Sequence, residues 1–178
     1  MADFVDFLQL PYKQLVLQRN EYLRTPGSID TSIYLVESGS LKVYVVDDDE
    51  EQIIRFGYKG NILVVLDSFL TGRPSSFYIQ AIKRCKIRII AKEMVFDGLD
   101  PNVYQKWWIG VLENLVLQQM EREIDLLTTA PRERYLRVLG RSPALFQEIP
   151  HRYIANYLRM SAETLSRLKS LDLDQDLK

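Results

Sequence analysis

Ile149-Pro150-His151-Arg152-Tyr153-Ile154-Ala155-Asn156-Tyr157-Leu158-Arg159-Met160-Ser161-Ala162-Glu163-Thr164-Leu165-Ser166-Arg167-Leu168 is the stretch from which the rest of the chain can be read. Counting from His151, apolar residues fall at the fourth, eighth, tenth, fifteenth and eighteenth positions, as Ile154, Leu158, Met160, Leu165 and Leu168. The spacing predicts a helix, a tight turn and a second helix, with Ala155 small enough for the two to cross closely. Pro150 suits a helix start, because its missing N–H would have no partner there. Ser161 is a good N-cap for the second helix, and Glu163 in the first turn suits the positive end of the helix dipole. Arg159 stands where such a turn commonly has Gly, and Arg enters the left-handed region only at a modest cost. A helix pair of this kind places its second helix in the major groove of DNA, with the capped N-terminus against a phosphate.

An ordinary helical hairpin in a core would share this spacing, and charge separates the two readings. Residues 131–170 hold eight basic residues (Arg132, Arg134, Arg137, Arg141, Arg152, Arg159, Arg167, Lys169) and three acidic ones (Glu133, Glu148, Glu163), a net of +5. Residues 1–130 carry 14 basic and 18 acidic residues, a net of −4, and residues 171–178 one Lys and three Asp, a net of −2. A chain that is nearly neutral overall thus has a basic module near one end, which is the electrostatic footprint of a phosphate-backbone binder.

The length of 178 residues fits one large domain or two small ones, and the 47% hydrophobic fraction can fill a core. No run of 18 apolar residues exists, so no membrane span is expected, and Met1–Asp6 lacks the basic segment of a signal peptide. A cytoplasmic protein is the simplest reading. One cysteine, Cys85, excludes an intrachain disulfide and a cysteine-ligated iron–sulfur cluster. With a single His as well, neither a metal site nor any cofactor is expected, and no catalytic residue is assigned. Cys85 lies in the apolar alternation Ile82–Ile90 and reads as a buried strand thiol.

Upstream, Phe4, Phe7, Leu8, Tyr12 and Leu15 suggest a short helix within residues 3–18. From 19 to 92 the signal is β. Ser32–Val36, Leu41–Val45, Gln52–Phe56, Phe77–Ala81 and Lys86–Ala91 are candidate strands, separated by turns at Thr25–Ser28, Glu37–Ser40 and Tyr58–Asn61. Asp47–Glu51 lacks the ligand spacing of a calcium loop and reads as a solvated hairpin tip. Short strands at this interval suggest an antiparallel barrel or jelly roll. From about 101 to 128 the period becomes helical. Ile109, Leu112, Val116, Met120, Ile124 and Leu127 recur at steps of three and four, and Trp107, Trp108, Val111 and Leu115 widen the stripe. A helix this broadly apolar packs on the barrel and on a second copy of itself, forming a homodimer that offers two reading helices to a two-fold site. Packing within its own subunit alone is the other reading. Ala130-Pro131 ends the helix.

Barrel, long helix and helix-turn-helix in that order resemble the bacterial Crp/Fnr family of transcription regulators. Gly27, Gly39, Gly60 and Gly72 look like the turn glycines of its barrel, and Glu163-Thr164-Leu165-Ser166-Arg167 is similar to its Glu-Thr-x-x-Arg core. The resemblance implies an α+β fold in three parts. Residues 1–100 would be a cyclic-nucleotide-binding-like jelly-roll sensor barrel, 101–130 a dimerisation helix and 131–178 a helix-turn-helix DNA-binding domain lacking an obvious wing. It implies a double-stranded palindrome with TTGA-like half-sites as partner, read by Glu163, Ser166 and Arg167 in the Fnr manner. Arg suits guanine O6 and N7, and Glu accepts from cytosine N4. Arg152, Arg159, Ser161, Thr164 and Lys169 are the corresponding phosphate contacts. RNA polymerase would be a further partner.

In the family's cyclic-AMP pocket a Glu binds the ribose and an Arg pairs with the cyclic phosphate. Here those positions fall on Val65 and Ser75, and only Ser76 survives, so a response to cyclic AMP is not expected. Arg73 is a nearby cation for another anion or a plain surface Arg. Val65, Arg73, Ser75 and Ser76 are therefore the candidate effector pocket, with the effector small molecule unassigned. The acidic residues after Leu168, where the family usually adds a β-hairpin wing, would repel phosphates. The alternative to a DNA-binding regulator is a barrel-type ligand sensor acting through a protein partner, with a degenerate DNA module. A jelly-roll enzyme fits poorly, because the lone His falls in the helical module.

Overall fold

Alternating side chains close eight strands into two facing antiparallel sheets. In this computed structural model, which describes residues 10–98 and 100–175, the strands are β1 (Lys13–Leu17), β2 (Tyr22–Arg24), β3 (Ile33–Ser38), β4 (Ser40–Asp47), β5 (Glu50–Tyr58), β6 (Ile62–Val64), β7 (Tyr78–Ala81) and β8 (Cys85–Ile90). They are ordered β1-β8-β3-β6 and β2-β7-β4-β5. Along β8, Cys85 and Ile87 are buried while Lys86 faces out. Such inward residues from both sheets (Leu17, Tyr34, Val36, Leu41, Ile79, Ile87) form one core. The Cys85 thiol is buried and pushed up to about 11, first by desolvation, so it is the inert strand thiol that the alternation predicts.

All four turn glycines singled out in the sequence have positive φ. Gly39 is the most constrained, since a Cβ there would strike the Arg84 carbonyl. The acidic tip is tighter than the sequence suggests: Asp47 pairs with Glu50, leaving Asp48 and Asp49 as a two-residue turn with φ of 48° and 62°. One expectation is corrected. Residues 13–17 form a strand rather than the end of a helix, because pairing with β8 satisfies their backbone and turns Leu17 into the core. Of the apolar residues that suggested a helix, Phe4, Phe7 and Leu8 lie outside the described residues.

The helices are α1 (Leu66–Thr71), α2 (Lys92–Gly98), α3 (Pro101–Leu127), α4 (Pro131–Arg141), α5 (Pro143–Glu148), α6 (His151–Tyr157) and α7 (Ala162–Gln175). Phe69, Val95 and Trp107 fix α1, α2 and the start of α3 against Ile33 and Ile90 of the barrel. Asp100 caps α3 by accepting from the Asn102 N–H, with Pro101 at its first position. The last four helices share a second core with the outer face of β4 and β5, where Tyr44, Ile53 and Phe56 meet Tyr135, Leu145, Ile154, Leu158 and Leu165. The helical module therefore packs on its own barrel.

Candidate nucleic-acid interface

Each local signal read in residues 149–168 has a geometric counterpart. Ile154, Leu158 and Leu165 are fully buried and Ala155 nearly so, as the crossing of α6 and α7 requires. The helix α6 ends in a Schellman motif: the Met160 N–H bonds to the Ala155 carbonyl at 3.0 Å and the Arg159 N–H to the Asn156 carbonyl at 3.0 Å. Arg159 takes the left-handed position with φ of 54°, so the turn forms without its Gly. Ser161 caps α7 through its Oγ, which accepts from the Thr164 N–H at 3.1 Å. Hydrogen bonds from its own backbone N–H and from the Ser161 hydroxyl hold the Glu163 carboxyl below its ordinary range. Glu163 is thus ionised at neutral pH and able to accept from a base amine.

Glu163, Ser166 and Arg167 are all exposed on one face of α7, opposite Leu165 and Leu168. Around them, Arg159 and Ser161 are exposed at the turn. Arg152 is exposed and lies 4.5 Å over the Tyr153 ring. Thr164 is half-buried beside its cap. Lys169 is half-buried, with Nζ 2.5 Å from Nε2 of His151. Desolvation and then this ammonium lower the His151 pKa, so the ring is neutral and the local positive charge rests on Lys169.

Not all of the basic excess faces outward. Arg137 and Arg141 of α4 bind Glu121 and Asp125 of α3, with Arg141 Nη2 at 2.5 Å from Asp125, and Arg134 is buried. Sequence reasoning counted all three towards phosphate attraction. Their spacing on one helix face, matched by acids four apart on α3, was the available signal for an internal network.

Asn156 is a residue that the sequence did not single out. Its Oδ1 accepts from the Ile53 N–H at 3.0 Å and its Nδ2 donates to the Glu51 carbonyl at 2.7 Å, so one side chain clips α6 to β5. Tyr157, the next residue, meets the Phe56 ring at 5.4 Å.

The four candidate effector residues differ in their surroundings. Val65 is buried in the barrel core, and Ser75 is buried with its Oγ accepting from the Phe77 N–H. Arg73 and Ser76 are exposed. The apolar stripe of α3 is largely uncovered: Ile109, Val116, Met120, Ile124 and Leu127 are exposed, Leu127 to 73%, while Leu112 is half-buried. No helix among the described residues is long and apolar enough to cross a membrane.

Residues 14–101 match the cyclic nucleotide-binding domain family. The whole fold is similar to that of FixK2 from Bradyrhizobium japonicum, at 20% identity and a TM-score of 0.74 over 94% of this chain and 87% of that one. It is also similar to the c-di-GMP responsive global regulator CLP from Xanthomonas campestris, at 19% identity and a TM-score of 0.68 over 98% and 92% of the two chains. A CooA mutant from Carboxydothermus hydrogenoformans has the same fold, at 18% identity and a TM-score of 0.69 over 92% and 77%. No curated protein matches the sequence.

Proposed function

We propose that this chain is a dimeric, sequence-specific DNA-binding transcription regulator of the Crp/Fnr type that does not respond to cyclic AMP. The observation that carries the reading is the face of α7: Glu163, Ser166 and Arg167 are exposed together, on a capped helix held rigid from behind by fully buried Leu165 and Ile154. A preorganised donor and acceptor set on an exposed helix end is what base readout in a major groove needs. The uncovered apolar stripe of α3 supports a second copy, and a two-fold dimer would present two such helices about 34–36 Å apart. Val65 and Ser75, both neutral and buried, give a cyclic phosphate no charge partner in the barrel. RNA polymerase is the expected protein partner once the dimer is on DNA.

Fluorescence anisotropy of a labelled TTGA-N6-TCAA duplex against a scrambled duplex, at two salt concentrations, tests this. Specific, salt-sensitive binding is expected, and Arg167→Ala should cost about 1–3 kcal/mol with relaxed discrimination at the guanine. Equal binding by wild type and Arg167→Ala would overturn the assignment of the reading helix.

A further inference from the structure

A cleft of about 720 Å³ runs between β5–β6, the helix α3 and the α4–α5 corner. Four basic residues line it, Arg55, Lys106, Arg122 and Arg141, and no carboxylate does. Arg141 is already neutralised by Asp125 and Glu121. Arg122 is different. It is 6% exposed, stacks 3.7 Å over the Tyr157 ring, and makes no hydrogen bond or ion pair among the described residues, the Asp125 carboxylate acting on it only across space; its Nη1 is buried without a partner. Arg55 on β5 faces the same cleft, half-buried and likewise without an ion pair. Buried charges are normally paired, so two desolvated guanidiniums on one cavity call for an anion.

The remaining wall describes the body of that anion. Asn114 and Gln118 offer amides at successive turns of α3, and Phe56, Trp107 and Tyr157 offer rings. A cleft of this size, in which aromatic walls stand beside convergent polar groups, suits a small organic ligand rather than a bare ion. A second copy would leave it open. Gly110, Asn114, Gln118 and Arg122 follow one another at four-residue steps, whereas the exposed Ile109, Val116 and Met120 lie on the far side of α3 at 100° per residue. Nor does the cleft include Val65, Arg73, Ser75 or Ser76.

We infer that Arg122 and Arg55 form an anion site for a small organic phosphate, its phosphoryl group held by the two guanidiniums and its body against the Tyr157–Trp107 wall. Guanidinium forks match phosphate oxygens in number and plane. The inference stands on the cleft and does not depend on DNA recognition.

Phenyl phosphate, inorganic phosphate and phenol, titrated calorimetrically into the full chain near physiological salt, test both halves of the site. Phenyl phosphate should bind saturably and at least tenfold more tightly than either fragment. Arg122→Met and Arg55→Met should each weaken it at least tenfold, while Ser76→Ala in the barrel leaves it unchanged. Arg122→Met removes an unpaired buried charge, so its thermal midpoint should hold or rise; Arg122→Lys, which keeps the charge and loses the fork, should bind with intermediate strength. Absence of saturable binding, equal binding by the Arg variants, or loss of binding in Ser76→Ala would overturn the site.

Discussion

Arg159 occupies a backbone position that residues with a Cβ enter at a cost, yet that position lets the Ala155 and Asn156 carbonyls at the end of α6 find their N–H partners. The left-handed conformation costs an L residue about 1–2 kcal/mol, against roughly 0.5–1 kcal/mol for the extra freedom Gly has in the unfolded chain. Arg159→Gly should therefore raise stability by about 0.5–1 kcal/mol in denaturant unfolding. If Arg159 touches a phosphate, the same variant should lower the salt slope of DNA binding by about one. A stability gain without that change of slope would leave Arg159 as a turn residue only. The phosphate assignment itself is what the family resemblance implies for this position.

Elements are joined by a few buried polar groups, and Asp30 is the most connected of them. Its carboxylate accepts from Arg24 Nε at 2.5 Å at the end of β2, from Tyr34 OH at 2.5 Å in β3, and from the Ser32 N–H at 2.9 Å, while its own N–H reaches Ser68 of α1. Burial alone would push this carboxyl up. The bonds from Arg24, Tyr34 and Ser32 outweigh it and leave the group below its ordinary value. A carboxylate whose folded pKa is depressed contributes stability that is complete above the unfolded value, near 3.9, and is lost as pH falls through the folded value. Urea midpoints should thus be level near neutrality and drop as pH is taken below about 4. Asp30→Asn should cost about 2 kcal/mol at pH 7 and less at pH 3, where the unfolded carboxyl is already largely protonated. Equal losses at both pH values would show that the charge of Asp30 contributes nothing. At the same scale, Asn156 clips α6 to the β5 backbone, so the helical module and the barrel share one core.

For the molecule as a whole, the surface we propose for a second copy is the uncovered stripe of α3. The stripe Ile109, Val116, Met120 and Leu127 recurs at steps of seven and four residues on α3, and it is exposed. That is coiled-coil spacing, and an exposed patch of this kind is what the proposed dimer contact needs. Val116→Glu together with Met120→Glu should shift sedimentation from dimer to monomer. Affinity for a palindromic duplex should fall about tenfold or more, because half of the contacts would be lost. A persistent dimer in that variant would place the interface elsewhere. The inferred anion cleft lies on the opposite side of the same helix and should be unaffected.

Much of this architecture was legible in the sequence because it rests on local rules. Strand alternation, the turn glycines, the helical period of 101–127 and the capped turn at Arg159–Ser161 each depend on residues within a few positions of one another. That Glu163, Ser166 and Arg167 share one exposed face of α7 was legible for the same reason, since they lie about one helical turn apart. The misread segment, Lys13–Leu17, becomes a strand by pairing with β8, some seventy residues away. Only the tertiary structure decided that Arg137 and Arg141 serve Asp125 rather than DNA, that Asn156 ties the module to the barrel, and that Arg55 and Arg122 share a cleft without a carboxylate. Whether a charge is paired depends on distance in space, and periodicity along a chain carries no information about which distant side chains arrive beside it.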